Sequence, residues 1–134
     1  MKLQSFRDTE KLAKKILALC QSGSLLLLKG DLGVGKTTLV QFVAREIGSE
    51  AHVNSPSYTL VHEYPSPEGL LVHIDAYRLD NVDELFELGL EDYIDKARLT
   101  VVEWGEGLLE HYPDATLIEL SFDGEDRIAK FIKK

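Results

Sequence analysis

Cysteine is almost missing from this chain. Cys20 is the only one, so no internal disulfide can form, as expected in a reducing compartment. Histidine is sparse as well. His52, His62, His73 and His111 have no metal-ligand spacing, which argues against a zinc site. Arginine is limited to Arg7, Arg45, Arg78, Arg98 and Arg127, scattered along the chain. No apolar run is long enough to span a bilayer, and the N-terminus alternates charge with apolar residues, unlike a signal peptide. A cytoplasmic location is the expectation. Positive charge is in deficit: 15 Lys and Arg face 23 Asp and Glu, for a net charge of −8. That argues against a broad nucleic-acid surface and fits a basic or mixed protein partner better. There is no Ser-His-Asp constellation, cysteine nucleophile, internal repeat, low-complexity segment or linker.

What remains is an ordinary soluble composition, 44% hydrophobic and 28% charged over 134 residues. Residues 1–134 are therefore read as a single domain with a sizeable core. Leu25-Leu26-Leu27-Leu28 is a continuous apolar run, as in a strand buried on both faces. Gly30-Asp31-Leu32-Gly33-Val34-Gly35-Lys36-Thr37 follows and fits G-x-x-x-x-G-K-[ST], the phosphate-binding loop. A helix is expected over 37–47, with Gly48 placed to end it. Glycines let several backbone N–H groups converge on one spot, and the helix N-terminus adds partial positive charge there. Lys36 would bring a point charge to the β- and γ-phosphates, and the Thr37 hydroxyl would take a position on Mg²⁺.

Upstream, residues 8–22 read as an amphipathic helix capped by Asp8 or Thr9. Leu12, Ala13, Ile16, Leu17, Leu19 and Cys20 form its apolar face. Downstream, 58–64 and 70–75 read as a hairpin across a turn at 65–69. Residues 80–94 are acidic and partly helical, interrupted by Gly89. Residues 99–104 form a buried strand and 105–111 a short helix. Residues 115–122 and 127–132 form a second hairpin across Asp123-Gly124-Glu125-Asp126. This order predicts an α/β fold: a P-loop NTPase-like three-layer sandwich, with a mostly parallel central sheet and antiparallel hairpin additions. Its site should lie beyond the carboxyl ends of the parallel strands.

Hydrolysis needs a carboxylate near magnesium and a group that orients water. Asp75 closes Leu-Leu-Val-His-Ile-Asp in the manner of a Walker B strand. Glu103 closes Leu-Thr-Val-Val-Glu in the same way. Ser55, Ser57 and Thr59 either contact the γ-phosphate and its magnesium or make a hydrogen-bonded turn around Pro56. Arg78 could reach a phosphate or a carboxylate. Tyr77 and Trp104 read as packing residues, with Trp104 placed to meet a partner if exposed.

Together these segments resemble the TsaE (formerly YjeE) family. The resemblance rests on residues 30–37, Ser55-Pro56-Ser57-Tyr58-Thr59-Leu60-Val61, His73-Ile74-Asp75-Ala76-Tyr77-Arg78-Leu79 and Glu103-Trp104-Gly105-Glu106. It covers essentially the whole chain. It implies a Mg²⁺-dependent ATPase, weak alone and stimulated by its partners TsaD and TsaB. Such a protein is required for threonylcarbamoyladenosine at position 37 of tRNAs reading codons that begin with A. In this family ATP hydrolysis is thought to reset the TsaD–TsaB complex rather than to transfer the group, and direct tRNA contact is not expected. By the same resemblance Leu32, Gly33, Val34, Gly35, Lys36, Thr37 and Thr38 would bind nucleotide, and Thr9 would lie near the adenine. Thr37, Asp75 and Glu103 would form the magnesium side, and Lys36, Asp75 and Glu103 the catalytic set. Two positions depart from the pattern. Ser57 stands where threonine is commoner, and Gly105 where proline is frequent, which leaves the aim of the Glu103-Trp104 turn open. A nucleotide-dependent binding module and a small P-loop kinase remain alternatives, although such kinases usually carry an Arg-rich lid that this chain lacks.

Overall fold

The computed structural model describes residues 1–50, 61–77, 79 and 81–134. The strands among them are β1 (Lys2–Leu3), β2 (Ser24–Lys29), β3 (Val61–Tyr64), β4 (Leu71–Asp75), β5 (Leu99–Glu103), β6 (Thr116–Asp123) and β7 (Asp126–Lys133). All join one sheet in the order β1-β7-β6-β2-β5-β4-β3. The four central strands, β6, β2, β5 and β4, run parallel. The pairings at the margins, β1 with β7, β6 with β7 and β3 with β4, are antiparallel. The expected parallel centre with hairpin additions is therefore present. Parallel pairing accounts for the middle of the sheet only.

The leucine run decides the layering. Side chains alternate faces along a strand, and both faces of β2 are covered. Leu26 and Leu28 join the cluster containing Leu12, Ile16, Leu39 and Val43, from helices α1 (Phe6–Leu19) and α2 (Lys36–Glu46). Leu25 and Leu27 join Leu85, Leu90 and Leu108 on the opposite face. Those come from α3 (Asp83–Glu87), α4 (Leu90–Lys96) and a 3-10 turn at Glu106–Glu110. Two apolar layers explain why the run carries no polar residue.

Several boundaries differ from the periodicity. Helix α1 starts at Phe6, with extended Ser5 as its cap residue: the Asp8 and Thr9 N–H groups already donate to Ser5 O, and the Asp8 carboxylate reaches back from the first turn to accept the Gln4 N–H at 2.9 Å. Neither Asp8 nor Thr9 is therefore the cap. The helix ends at Leu19, and Cys20 is buried with its Sγ 3.7 Å from Thr116 Oγ1. Strand β1, too short for any periodicity, forms because Met1 and Ala129 exchange backbone hydrogen bonds of 2.8 Å. Gly48 ends α2 as expected: Gly48 N–H donates to Arg45 O and Ser49 N–H to Ala44 O. Gly89, in the left-handed region, separates α3 from α4. Only 61–64 of the strand expected over 58–64 falls within the described residues.

Candidate functional site

The β2–α2 junction bends where the motif predicts. Gly30 has φ +154, and a Cβ there would lie 2.5 Å from Leu120 O and 2.8 Å from Val34 Cγ1, so only glycine fits between β6 and the loop. The loop delivers Lys36 and Thr37 to the first turn of α2. Lys36 is buried, and its Nζ donates to Gly30 O at 2.5 Å and Asp31 O at 2.9 Å. The same ammonium lies 4.2 Å from the Trp104 ring centroid. Burial pulls the Lys36 pKa below the ordinary lysine value, and Glu103, Asp75, Asp31 and Glu106 oppose that shift through their charge.

Two strand ends bring the carboxylates. Asp75 and Glu103 are register partners at the carboxyl ends of β4 and β5. Asp75 Oδ1 accepts the Tyr77 N–H at 3.0 Å. Glu103 is buried, and its Oε2 accepts the Thr37 hydroxyl at 2.9 Å and also meets His73 Nε2. The chain then turns sharply at Trp104, the one non-glycine residue with positive φ among those described, at +62. Its N–H donates to Leu28 O at 2.9 Å, which ties the turn back to the central strand. Gly105 clarifies the departure noted in the sequence. A Cβ at this position would sit 2.9 Å from Val102 Cβ, Cγ1 and O, so the turn is packed down on β5.

Lys36, Thr37, Asp75, Glu103 and Trp104 line one cavity of about 310 Å³, together with Leu32, Gly33, Gly35 and Thr38. A neighbouring cavity of about 630 Å³ shares Gly35 and Thr38 with it and adds Thr9, Val34, Leu39, Arg127 and residues 3–6. Every described residue named from the sequence as a site member thus lines one of two adjoining cavities. Ser55, Ser57, Thr59 and Arg78 lie outside the described residues. Three residues not given a role from the sequence lie in or beside these cavities. His73 is a fully buried polar residue in an apolar strand. Arg127 comes from β7, and its Cδ and Nε lie 3.6 Å from where a Cβ on Gly35 would be. Glu106 has a buried Oε2 without a hydrogen-bond partner among the described residues.

These residues fit a divalent cation held jointly with a polyphosphate. Thr37 donates its only proton to Glu103, which leaves hydroxyl lone pairs as acceptors. One ammonium against the carboxylates of Asp31, Asp75, Glu103 and Glu106 would repel an anionic ligand unless a cation accompanied it. No group of three His, Cys, Asp or Glu side chains able to hold a metal occurs among the described residues.

The class that fold and site define is a mixed α/β domain with one sheet, its cavities at the carboxyl ends of the parallel strands beside a glycine-rich strand-to-helix loop. The family model described as "Threonylcarbamoyl adenosine biosynthesis protein TsaE" matches residues 3–130, and the chain belongs to that family. Among its relatives, the tRNA threonylcarbamoyladenosine biosynthesis protein TsaE of Rickettsia bellii is 37% identical over 124 residues, 89% of this chain and 82% of the relative. The protein of the same name from Haemophilus influenzae is 37% identical over 127 residues, 85% of this chain and 80% of its own length. The crystal structure of YdiB from Bacillus subtilis superposes with a TM-score of 0.75 at 28% identity, covering 98% of this chain and 82% of that one. No helix among the described residues is long and apolar enough to cross a membrane.

Proposed function

We propose that this protein binds ATP with Mg²⁺ at the β2–α2 loop and hydrolyses it as an accessory of threonylcarbamoyladenosine formation. It would act with TsaD and TsaB in the cytoplasm, on the modification at position 37 of tRNAs reading codons that begin with A. The observation that carries the reading is one cavity shared by the Lys36-Thr37 helix start and the register-paired carboxylates of Asp75 and Glu103. Lys36 leaves its two carbonyl partners to meet the β- and γ-phosphates. Thr37 and Asp75 would hold magnesium, with Glu103 beside it, and the ion would neutralise charge on the phosphates. Glu103 orients the attacking water. The larger cavity, walled by Thr9, Val34 and residues 3–6, takes the adenosine. Hydrolysis resets the TsaD–TsaB complex and does not itself transfer the threonylcarbamoyl group.

The test is ATP binding and phosphate release by the protein alone and with TsaD and TsaB. The expected result is weak turnover alone, stimulation by the partners, and loss of both binding and turnover in Lys36→Ala. Partner binding without stimulated phosphate release would replace this reading with a nucleotide-dependent binding module. Phosphoryl transfer to a metabolite would replace it with a kinase.

A further inference from the structure

His73 has no part in the nucleotide pocket's lining, yet it is completely buried one register step behind it. It pairs with Val101 while Asp75 pairs with Glu103, so its side chain shares a face with both acids and reaches Glu103 diagonally across β4 and β5. Its Nε2 bonds Glu103 Oε2, the oxygen that also accepts the Thr37 hydroxyl. Its Nδ1 has no hydrogen-bond partner among the described residues. Packing alone does not account for this choice. The positions that share its face and layer are Leu71 and Val101, both completely buried, and an aliphatic side chain would fill that layer without burying an unsatisfied nitrogen. A buried imidazole–carboxylate contact also adds little stability over well-packed apolar residues. What it does supply is direction. A glutamate has three side-chain torsions, and two donors converging on one oxygen remove most of that freedom.

We propose that His73 is a positioning residue. Its Nε2–H donates to Glu103 and, with the Thr37 hydroxyl, holds Oε2 against the start of α2, so that Oε1 is left to orient water. The inference rests on the ATPase reading above and extends it to a residue that touches neither nucleotide nor water.

The test pairs His73→Leu, which removes the donor, with His73→Gln, whose side-chain amide places a donor near the same position. In His73→Leu, kcat for partner-stimulated ATP hydrolysis should fall about 10–100-fold, the usual cost of losing such a supporting contact. The Kd for ATP should stay close to the parent value. His73→Gln should recover most of kcat. Unchanged kcat in His73→Leu, or equal loss in both variants, would overturn the proposal. Imidazole ¹⁵N NMR of the nucleotide-free parent protein supplies a readout independent of turnover and of whether the His73 variants fold. A protonated His73 Nε2 whose slowly exchanging proton is lost in Glu103→Ala is expected, and an unprotonated Nε2 would refute the contact. Should the parent protein hydrolyse no ATP at all, the ATPase reading fails, and the NMR result still decides the His73–Glu103 contact.

Discussion

The ammonium of Lys36 rests 4.2 Å from the ring centroid of Trp104 and is held there by two loop carbonyls. The lysine that should meet phosphate is thus folded back on its own loop, under the only tryptophan in the chain. Binding a polyphosphate must exchange these contacts for new ones. Tryptophan fluorescence should therefore change on titration with Mg–ATP and stay flat in Lys36→Ala. A parent protein that binds ATP with no spectral change would show that Lys36 does not leave the ring.

Replacing a carboxylate separates binding from chemistry. Glu103→Gln keeps the shape beside Thr37 but removes the charge proposed to orient water. Phosphate release should drop by about 10²–10⁴-fold, the range for a positioned acid–base group. Mg–ATP affinity, measured by calorimetry, should change little. Asp75→Ala should also block turnover, and because this side chain is assigned to magnesium, the metal dependence of binding should weaken with it.

Arg127 stands where the two cavities meet, against Gly35. If the two cavities hold ATP as proposed, this side chain would lie close to where the nucleotide passes from one to the other. Arg127→Gln should raise the Kd for ATP and ADP about tenfold or more, from roughly 1.5–3 kcal/mol for a hydrogen bond to a charged group. Turnover at saturating ATP should be retained. Equal affinities in the two proteins would remove Arg127 from the site.

Gly105 is set by contact rather than by an unusual backbone angle, since its φ is −96. A methyl group would press on Val102 from 2.9 Å, at the base of the Glu103-Trp104 turn. Gly105→Ala should cost about 1–3 kcal/mol in urea unfolding, as overpacking does. Its turnover should fall with stability if Val102 shifts the end of β5.

Much of this site was legible along the chain because its parts are local. An apolar run, a glycine-rich octet and a capped helix follow one another within 24–48, and backbone sterics alone prescribe the bend. Asp75 and Glu103 were legible because an acid ending a buried strand breaks an apolar pattern. The start of α1 was not, because Ser5, Asp8 and Thr9 are all cap-type residues, and only the backbone shows that Ser5 O accepts the first helical N–H groups.

What the sequence determined by itself is the set of groups on offer: a glycine-rich strand-to-helix loop, its lysine and threonine, and two strand-end acids. Which of them touch was decided only by the sheet. The parallel pairing of β4 with β5 puts Asp75 beside Glu103 and lets His73 reach that glutamate from behind. The neighbouring β2 sets Thr37 against it across 66 residues. The terminal strand β7 carries Arg127 to the loop. Burying both faces of the leucine run demands a central strand with a layer on each side, but which strands flank it, and in what register, is a long-range matter that no window of local periodicity contains.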